Sequence, residues 1–180
     1  MKREIFQEIG IPEGVEVNLD ENVLIVKGEK GENKKEFNIS KLSFEKKENK
    51  IIIGSKTASK NEKRMINTIA AHIRNMIQGV QEGYEYILKI ANSHFPMNVN
   101  VQGKEATIKN FLGEKIPRKL KILDNVEVKI EKDIITIISP NKELAGQTAA
   151  NFEKATRIRM KDRRVFQDGI FITNKAGKEI

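Results

Sequence analysis

The chain has 180 residues, 38% of them hydrophobic, with a net charge of +8 and a pI near 9.5. It contains no cysteine, which removes disulfides, cysteine-ligated zinc, iron–sulfur clusters and thiol nucleophiles together. The longest apolar run, Ile134–Ile138 with Thr136 inside it, falls far short of the roughly 20 residues a membrane helix needs, and the opening residues Met1 to Glu8 carry no apolar signal core. A cytoplasmic protein that does not enter a membrane is expected.

In chain order, Ile11-Pro12 followed by Val15 and Val17 reads as a proline-opened strand with alternating apolar residues. Gly28-Glu29-Lys30-Gly31 reads as a turn between strands, and Lys34-Lys35 and Lys46-Lys47 as solvated hairpin faces. Ile51 to Ser55 reads as a buried strand. A helix follows, because Ile66, Ile69, Ile73, Met76 or Ile77, and Val80 recur at three- and four-residue steps; Gly79 and Gly83 are expected to break it. Tyr84 to Ile90 alternates and reads as a strand. Phe95-Pro96 with Val99 and Val101 predicts another, Gly113-Glu114-Lys115 a turn, and Ile134 to Ser139 a buried strand. Pro140 and the capping residue Asn141 start a second helix. Leu144, Thr148, Phe152 and Ala155 are expected on its buried face, with Ala145, Gly146, Ala149 and Ala150 allowing close packing.

These elements occur twice, in the same order, at offsets of 80 to 85 residues. Ile11-Pro12 matches Phe95-Pro96, Gly28-Glu29-Lys30 matches Gly113-Glu114-Lys115, Ile51 to Ser55 matches Ile134 to Ser139, and the helix with Thr68 matches the helix with Thr148. Four ordered matches indicate a duplication. The expected fold is α+β: two similar domains, 1–82 and 83–180, each an antiparallel sheet packed with one main helix. The boundary falls near Gly79–Gly83.

Residues 1–82 hold 15 Lys/Arg against 13 Asp/Glu, and residues 83–180 hold 18 against 12. Four of the eight arginines lie in Arg157-Ile-Arg-Met-Lys-Asp-Arg-Arg164, with Lys154 and Lys161 beside them. Arginine donates several hydrogen bonds from a planar fork that never loses its charge, which suits phosphate oxygens. A membrane-surface helix would need a broad apolar face, and this segment offers only Ile158 and Met160. A solvated basic run would look similar. Here, however, the segment leaves a packed helix and returns through Val165-Phe166, the turn Gln167-Asp168-Gly169 and Ile170-Phe171-Ile172, so its charges are expected to be tethered.

Nothing indicates catalysis. His72 reads as a packed or half-exposed helix residue and His94 as a loop residue, and they share no metal-binding spacing. Adjacent acids such as Asp20-Glu21 read as solvated hairpin residues, and no Gly-x-x-x-x-Gly-Lys phosphate loop is present. No cofactor and no metal are expected. The alternative is a metal-dependent RNA hydrolase or nuclease using Asp162 and Asp168.

The duplication, the junction Met76-Ile-Gln-Gly-Val-Gln-Glu-Gly-Tyr84, the Gln147-Thr-Ala-Ala150 helix and the ending Asp162-Arg-Arg-Val-Phe-Gln-Asp-Gly-Ile-Phe171 together resemble the universal L-six family of large-subunit ribosomal proteins over nearly the whole chain. The Arg-Val-Phe-Gln-Asp-Gly ending is similar to the archaeal and eukaryotic branch; the bacterial branch has a lysine- and glycine-rich sequence there. The resemblance implies two similar α+β domains and no catalytic activity or small-molecule substrate. It further implies a place in the cytoplasmic ribosome beside neighbouring ribosomal proteins. The partner would be large-subunit rRNA, near the sarcin–ricin region and the base of the factor-binding stalk, held chiefly by the C-terminal domain. Lys154, Arg157, Arg159, Lys161, Arg163 and Arg164 would then neutralise phosphates. Gln167 would sit at the turn, and Gly169 would let backbone approach RNA closely. Phe166 would stack on a base or, preferably, pack into the core. Lys104, Lys109 and Asn110 are weaker candidates, as are Lys60, Lys63 and Arg64 at the first helix start.

Overall fold

The structure is a computed structural model and describes residues 3–20, 22–39, 42–47, 49–162 and 164–180. The chain divides into two compact units, residues 1–83 and 84–180.

The first unit contains β1 (Arg3–Gly10), β2 (Glu16–Asp20), β3 (Val23–Gly28), β4 (Gly31–Glu36), β5 (Ser43–Lys47), β6 (Lys50–Ala58) and α1 (Lys60–Gln81). Its strands form two antiparallel three-stranded sheets, ordered β1-β6-β5 and β2-β3-β4. Alternation decides which residues face inward: Val15, Val17, Leu24, Val26, Ile51 and Ile53 are buried, and they meet the α1 stripe of Ile66, Ile69, Ala70, Ile73, Met76, Ile77 and Val80. Ser59 starts α1 through a capping box: its hydroxyl accepts the Glu62 amide, and the Glu62 carboxylate accepts the Ser59 amide at 2.6 Å. α1 runs through Gly79, which is buried, and stops before Gly83. The β3–β4 turn is held on the helix end, where the Lys30 amide donates to the Val80 carbonyl at 2.9 Å. A Cβ on Gly28 would lie 2.7 Å from that same carbonyl oxygen, so only glycine fits this approach.

The second unit repeats the order with β7 (Tyr84–Ala91), β8 (Asn98–Gln102), β9 (Glu105–Lys109), β10 (Arg118–Lys121), β11 (Glu127–Glu131), β12 (Ile134–Ser139) and α2 (Lys142–Ala155). It then adds β13 (Gly169–Lys175) and the short β14 (Lys178–Glu179). Its sheets are β10-β9-β8 and β11-β12-β7-β13-β14, antiparallel throughout. The duplicated α+β architecture is therefore present, with the strands of each copy shared between two sheets instead of one. Asn141 caps α2 as expected, accepting from the amides of Glu143 at 2.9 Å and Leu144 at 3.4 Å. The deepest residues on α2 are Ala145, Thr148, Ala149 and Phe152; Leu144 and Ala155 lie at the margin. Leu88, Ile135, Ile137 and Ile170 are fully buried beside them, each contributing about 1.5–3 kcal/mol of apolar burial. β1 and β13 are among the strands that have no counterpart in the sequence reading. β1 has mixed charges instead of a clean apolar alternation, and β13 was visible only as a segment that docks.

Candidate nucleic-acid interface

The basic segment is a loop held at both ends. At its start Thr156 closes α2; its hydroxyl lies 3.4 Å from the carbonyls of Phe152 and Glu153 and accepts the Ile170 amide at 2.9 Å. That links the last turn of α2 to the first residues of β13. Arg118 adds a second clamp. Its Nη1 donates to the Ala155 carbonyl at 2.7 Å, its Nε to Glu114 Oε2 at 2.8 Å, and its guanidinium lies 4.2 Å from the Phe111 ring centre. The Arg118 hydrogen bond, with the charges of Arg118 and Lys161, holds the Glu114 carboxyl below the usual carboxylate range despite partial desolvation.

The far end is fixed by Asp168, which is only 2% exposed. Its Oδ1 accepts the amides of Ser93 and His94, each at 2.7 Å, and its Oδ2 meets His94 Nδ1 at 2.6 Å. Burial alone would raise its pKa; the His94 amide and ring and the Ser93 amide outweigh that and lower it to about 2. The His94 ring stacks on Phe166 with centroids 4.9 Å apart. Lys161 Nζ in turn lies 4.4 Å from the Phe166 ring centre. Phe166 is half-buried and belongs to this small stack, neither to the core nor to open surface. Asp162 shapes the turn between: its Oδ1 accepts the Arg164 amide at 2.9 Å, and its carbonyl accepts the amides of Val165 and Phe166. Both acids of the hydrolase alternative are thus engaged in holding the loop.

Between the end of α2 and residues 166–171 opens a groove of about 710 Å³. Lys154, Arg157, Ile158, Phe166, Gln167 and Phe171 line it. Lys154, Arg157, Arg159, Lys161, Arg164 and Gln167 are all exposed. Arg163 lies outside the described residues. Met160, at the loop tip, is fully exposed with a left-handed backbone at φ 55°. The arrangement is a hydrogen-bonded base with exposed cationic side chains and apolar and aromatic groups on the floor, which suits phosphates with a sugar or base beside them.

Several of the candidate residues also have partners within the unit. Gly169 is buried, and a Cβ there would lie 3.2 Å from the Phe171 ring and 3.5 Å from Thr156 Oγ1, so packing inside the unit also favours a small residue at this position. Lys104 is paired with Asp124, and neither it nor Lys109, at the end of β9, lines the groove. Asn110 donates to the Pro96 carbonyl at 2.9 Å and adopts a left-handed conformation, φ 61°, where it serves the turn. In the first unit, Arg64 donates to Asn61 and Lys60 opens α1. The residues that sequence reasoning missed are Arg118, Thr156 and His94. Each makes its anchoring contact with a residue distant in the chain (Arg118 with Ala155, Thr156 with Ile170, His94 with Asp168), and none has a local motif.

Comparison with known proteins agrees with the duplication. A family model described as ribosomal protein L6 matches residues 11–83 and again residues 95–169. The chain is similar to the large ribosomal subunit protein uL6 of Methanosarcina mazei, 44% identical over 176 residues, covering 98% of this chain and all of the relative. It is 45% identical over 171 residues to the protein of the same description from Methanobrevibacter smithii, covering 95% and 96%. With that of Methanocella arvoryzae it shares 45% over 177 residues, covering 98% and 100%.

Proposed function

The chain belongs to the ribosomal protein L6 family, and from that premise we propose that it is a structural constituent of the large ribosomal subunit whose second unit grips rRNA through the tethered basic loop. The family is a structural, non-enzymatic component of the ribosome, and the cytoplasmic ribosome is the place of action. The partners are large-subunit rRNA, near the sarcin–ricin region and the base of the factor-binding stalk, and neighbouring ribosomal proteins. The contacts are Lys154, Arg157, Arg159, Lys161, Arg163 and Arg164 to phosphates, with Gln167 at the groove; Lys104 and Lys109 are auxiliary. Gly169 shapes the loop from within.

The observation that carries this reading is the double anchorage of a cationic loop. Thr156 and Arg118 fix one end, and Asp168 with His94 fixes the other. Ordering long cations on a floppy tail would cost conformational entropy at binding. A loop whose backbone is already held loses less, and its charges keep one spacing, which is what shape-dependent recognition of an RNA helix requires.

The test is salt-dependent binding of a large-subunit rRNA fragment carrying the sarcin–ricin stem-loop. Each neutralised phosphate contributes a slope of roughly 0.7–0.9 to the fall of log K with log salt. Arg157→Gln with Arg159→Gln should lower the slope by about 1.4–1.8 and leave the fold unchanged. An unchanged slope in the folded double variant would remove this loop from the interface.

A further inference from the structure

The first unit keeps an open sheet edge at the place the second unit fills with its own chain. The sheets β5-β6-β1 and β11-β12-β7 correspond strand for strand. The Ile11 amide donates to the Asn49 carbonyl at 2.8 Å, and the Ile90 amide donates to the Asp133 carbonyl at 2.8 Å, which makes Ile90, and not Phe95 as the motif match suggests, the counterpart of Ile11 in the sheet. Beyond β7 lies β13, antiparallel, with Ile170 opposite Ile90. Among the described residues, no strand lies beyond β1.

Antiparallel geometry says which groups are left over. The amide of Ile11 points toward β6, so those of Ile9 and Gln7 do too, and those of Gly10, Glu8 and Phe6 point the other way. Beside this edge, between the end of β1 and the last turns of α1, is a groove of about 420 Å³ lined by Ile9, Ile11, Pro12, Arg74, Ile77 and Gln78. In the second unit β13 packs against α2 and buries Ile170 completely. We propose that the open edge of β1 binds an extended segment of a partner protein, laid antiparallel to β1, with an apolar residue opposite Ile11 seated in the groove against Ile77. Backbone pairing would supply affinity and the groove side-chain choice, as in strand addition generally. Pro12, which has no amide, limits the pairing to the residues before it. Edge strands are commonly blunted by charge or proline. Here Glu8 is paired with Lys50 in the neighbouring strand, which draws its charge toward the sheet.

The test uses the full-length chain labelled with 15N and a synthetic peptide copying residues 168–176, the segment that occupies this edge in the second unit. The peptide should slow hydrogen exchange at the amides of Phe6, Glu8 and Gly10 by about tenfold or more, leaving Gln7 and Ile9 as they were. Glu8→Pro deletes one outward amide and no β1–β6 bond, so it should abolish the effect; Gly10→Pro does the same if Glu8→Pro does not fold. Failure to bind at about 1 mM peptide would overturn the proposal. So would binding that leaves the three amides unchanged, or slowing that rises with chain concentration without peptide, which would mean pairing between copies.

Discussion

His94 Nδ1 lies 2.6 Å from Asp168 Oδ2, and this contact between residues 74 apart in sequence ties the loop before β8 to the return of the basic segment. The same carboxylate accepts two backbone amides. Asp168→Asn keeps the shape but removes the charge, and it places an amide nitrogen among donors. We expect a loss of about 2 kcal/mol, read as a lower urea midpoint for the second unit. We also expect weaker rRNA binding, because one anchor of the loop loosens. A variant as stable as the parent would show that the clamp contributes nothing.

The same group sets a pH dependence. The Asp168 pKa is lowered from 3.8 to about 2 in the folded chain. Its ionised form therefore stabilises the fold fully above about pH 4, and the contribution fades as pH falls toward 2. A drop from 3.8 to about 2 corresponds to about 2 kcal/mol. Stability measured between pH 5 and 2 should fall more steeply in the parent than in Asp168→Asn. Parallel curves would contradict the assignment.

Thr148 offers a gain. Its hydroxyl is buried in α2 and has no hydrogen-bond partner among the described residues. Thr148→Val keeps the volume and the β-branch and removes an unpaired polar atom, so it should stabilise by about 1 kcal/mol. A thermal shift downward would mean that the hydroxyl has a partner in solution.

Gly28→Ala should act in the opposite sense. The added methyl would meet the Val80 carbonyl oxygen at 2.7 Å and its Cγ2 at 2.9 Å. Relief requires the β3–β4 turn to lift from the end of α1, weakening the Lys30–Val80 hydrogen bond. The expected cost is about 2 kcal/mol, seen in the first unit alone. Calorimetry that resolves the two units would check it.

Much of this fold was legible because it is written in local periods. Ile66, Ile69 and Ile73 mark one helix face, Tyr84 to Ile90 alternates, and Asn141 announces a helix. β1 escaped because its inward residues include Gln7 and its outward ones Phe6, so the alternation is blurred. The division into two sheets escaped too, since pairing partners are set by topology and not by period. At the candidate interface the cations were legible as a cluster. What holds them was not: Arg118 reaches Ala155, Thr156 reaches Ile170, and Asp168 reaches His94, each through tertiary proximity alone. Gly169 was noticed for its missing side chain, but a sequence cannot say whether the space so freed is outside or inside.

The position of β7 in its sheet has a consequence for the order of events at synthesis. β7 opens the second unit, yet one of its two neighbours, β13, is made of residues 169–175. The first unit has all its strands and its helix by residue 81 and can fold as a block while the rest is still being made. The second must wait with one side of its central strand bare until almost the whole unit has left the tunnel. The cationic loop therefore gains its second anchor only when β13 pairs with β7, and closing the sheet also draws the two ends of the loop together.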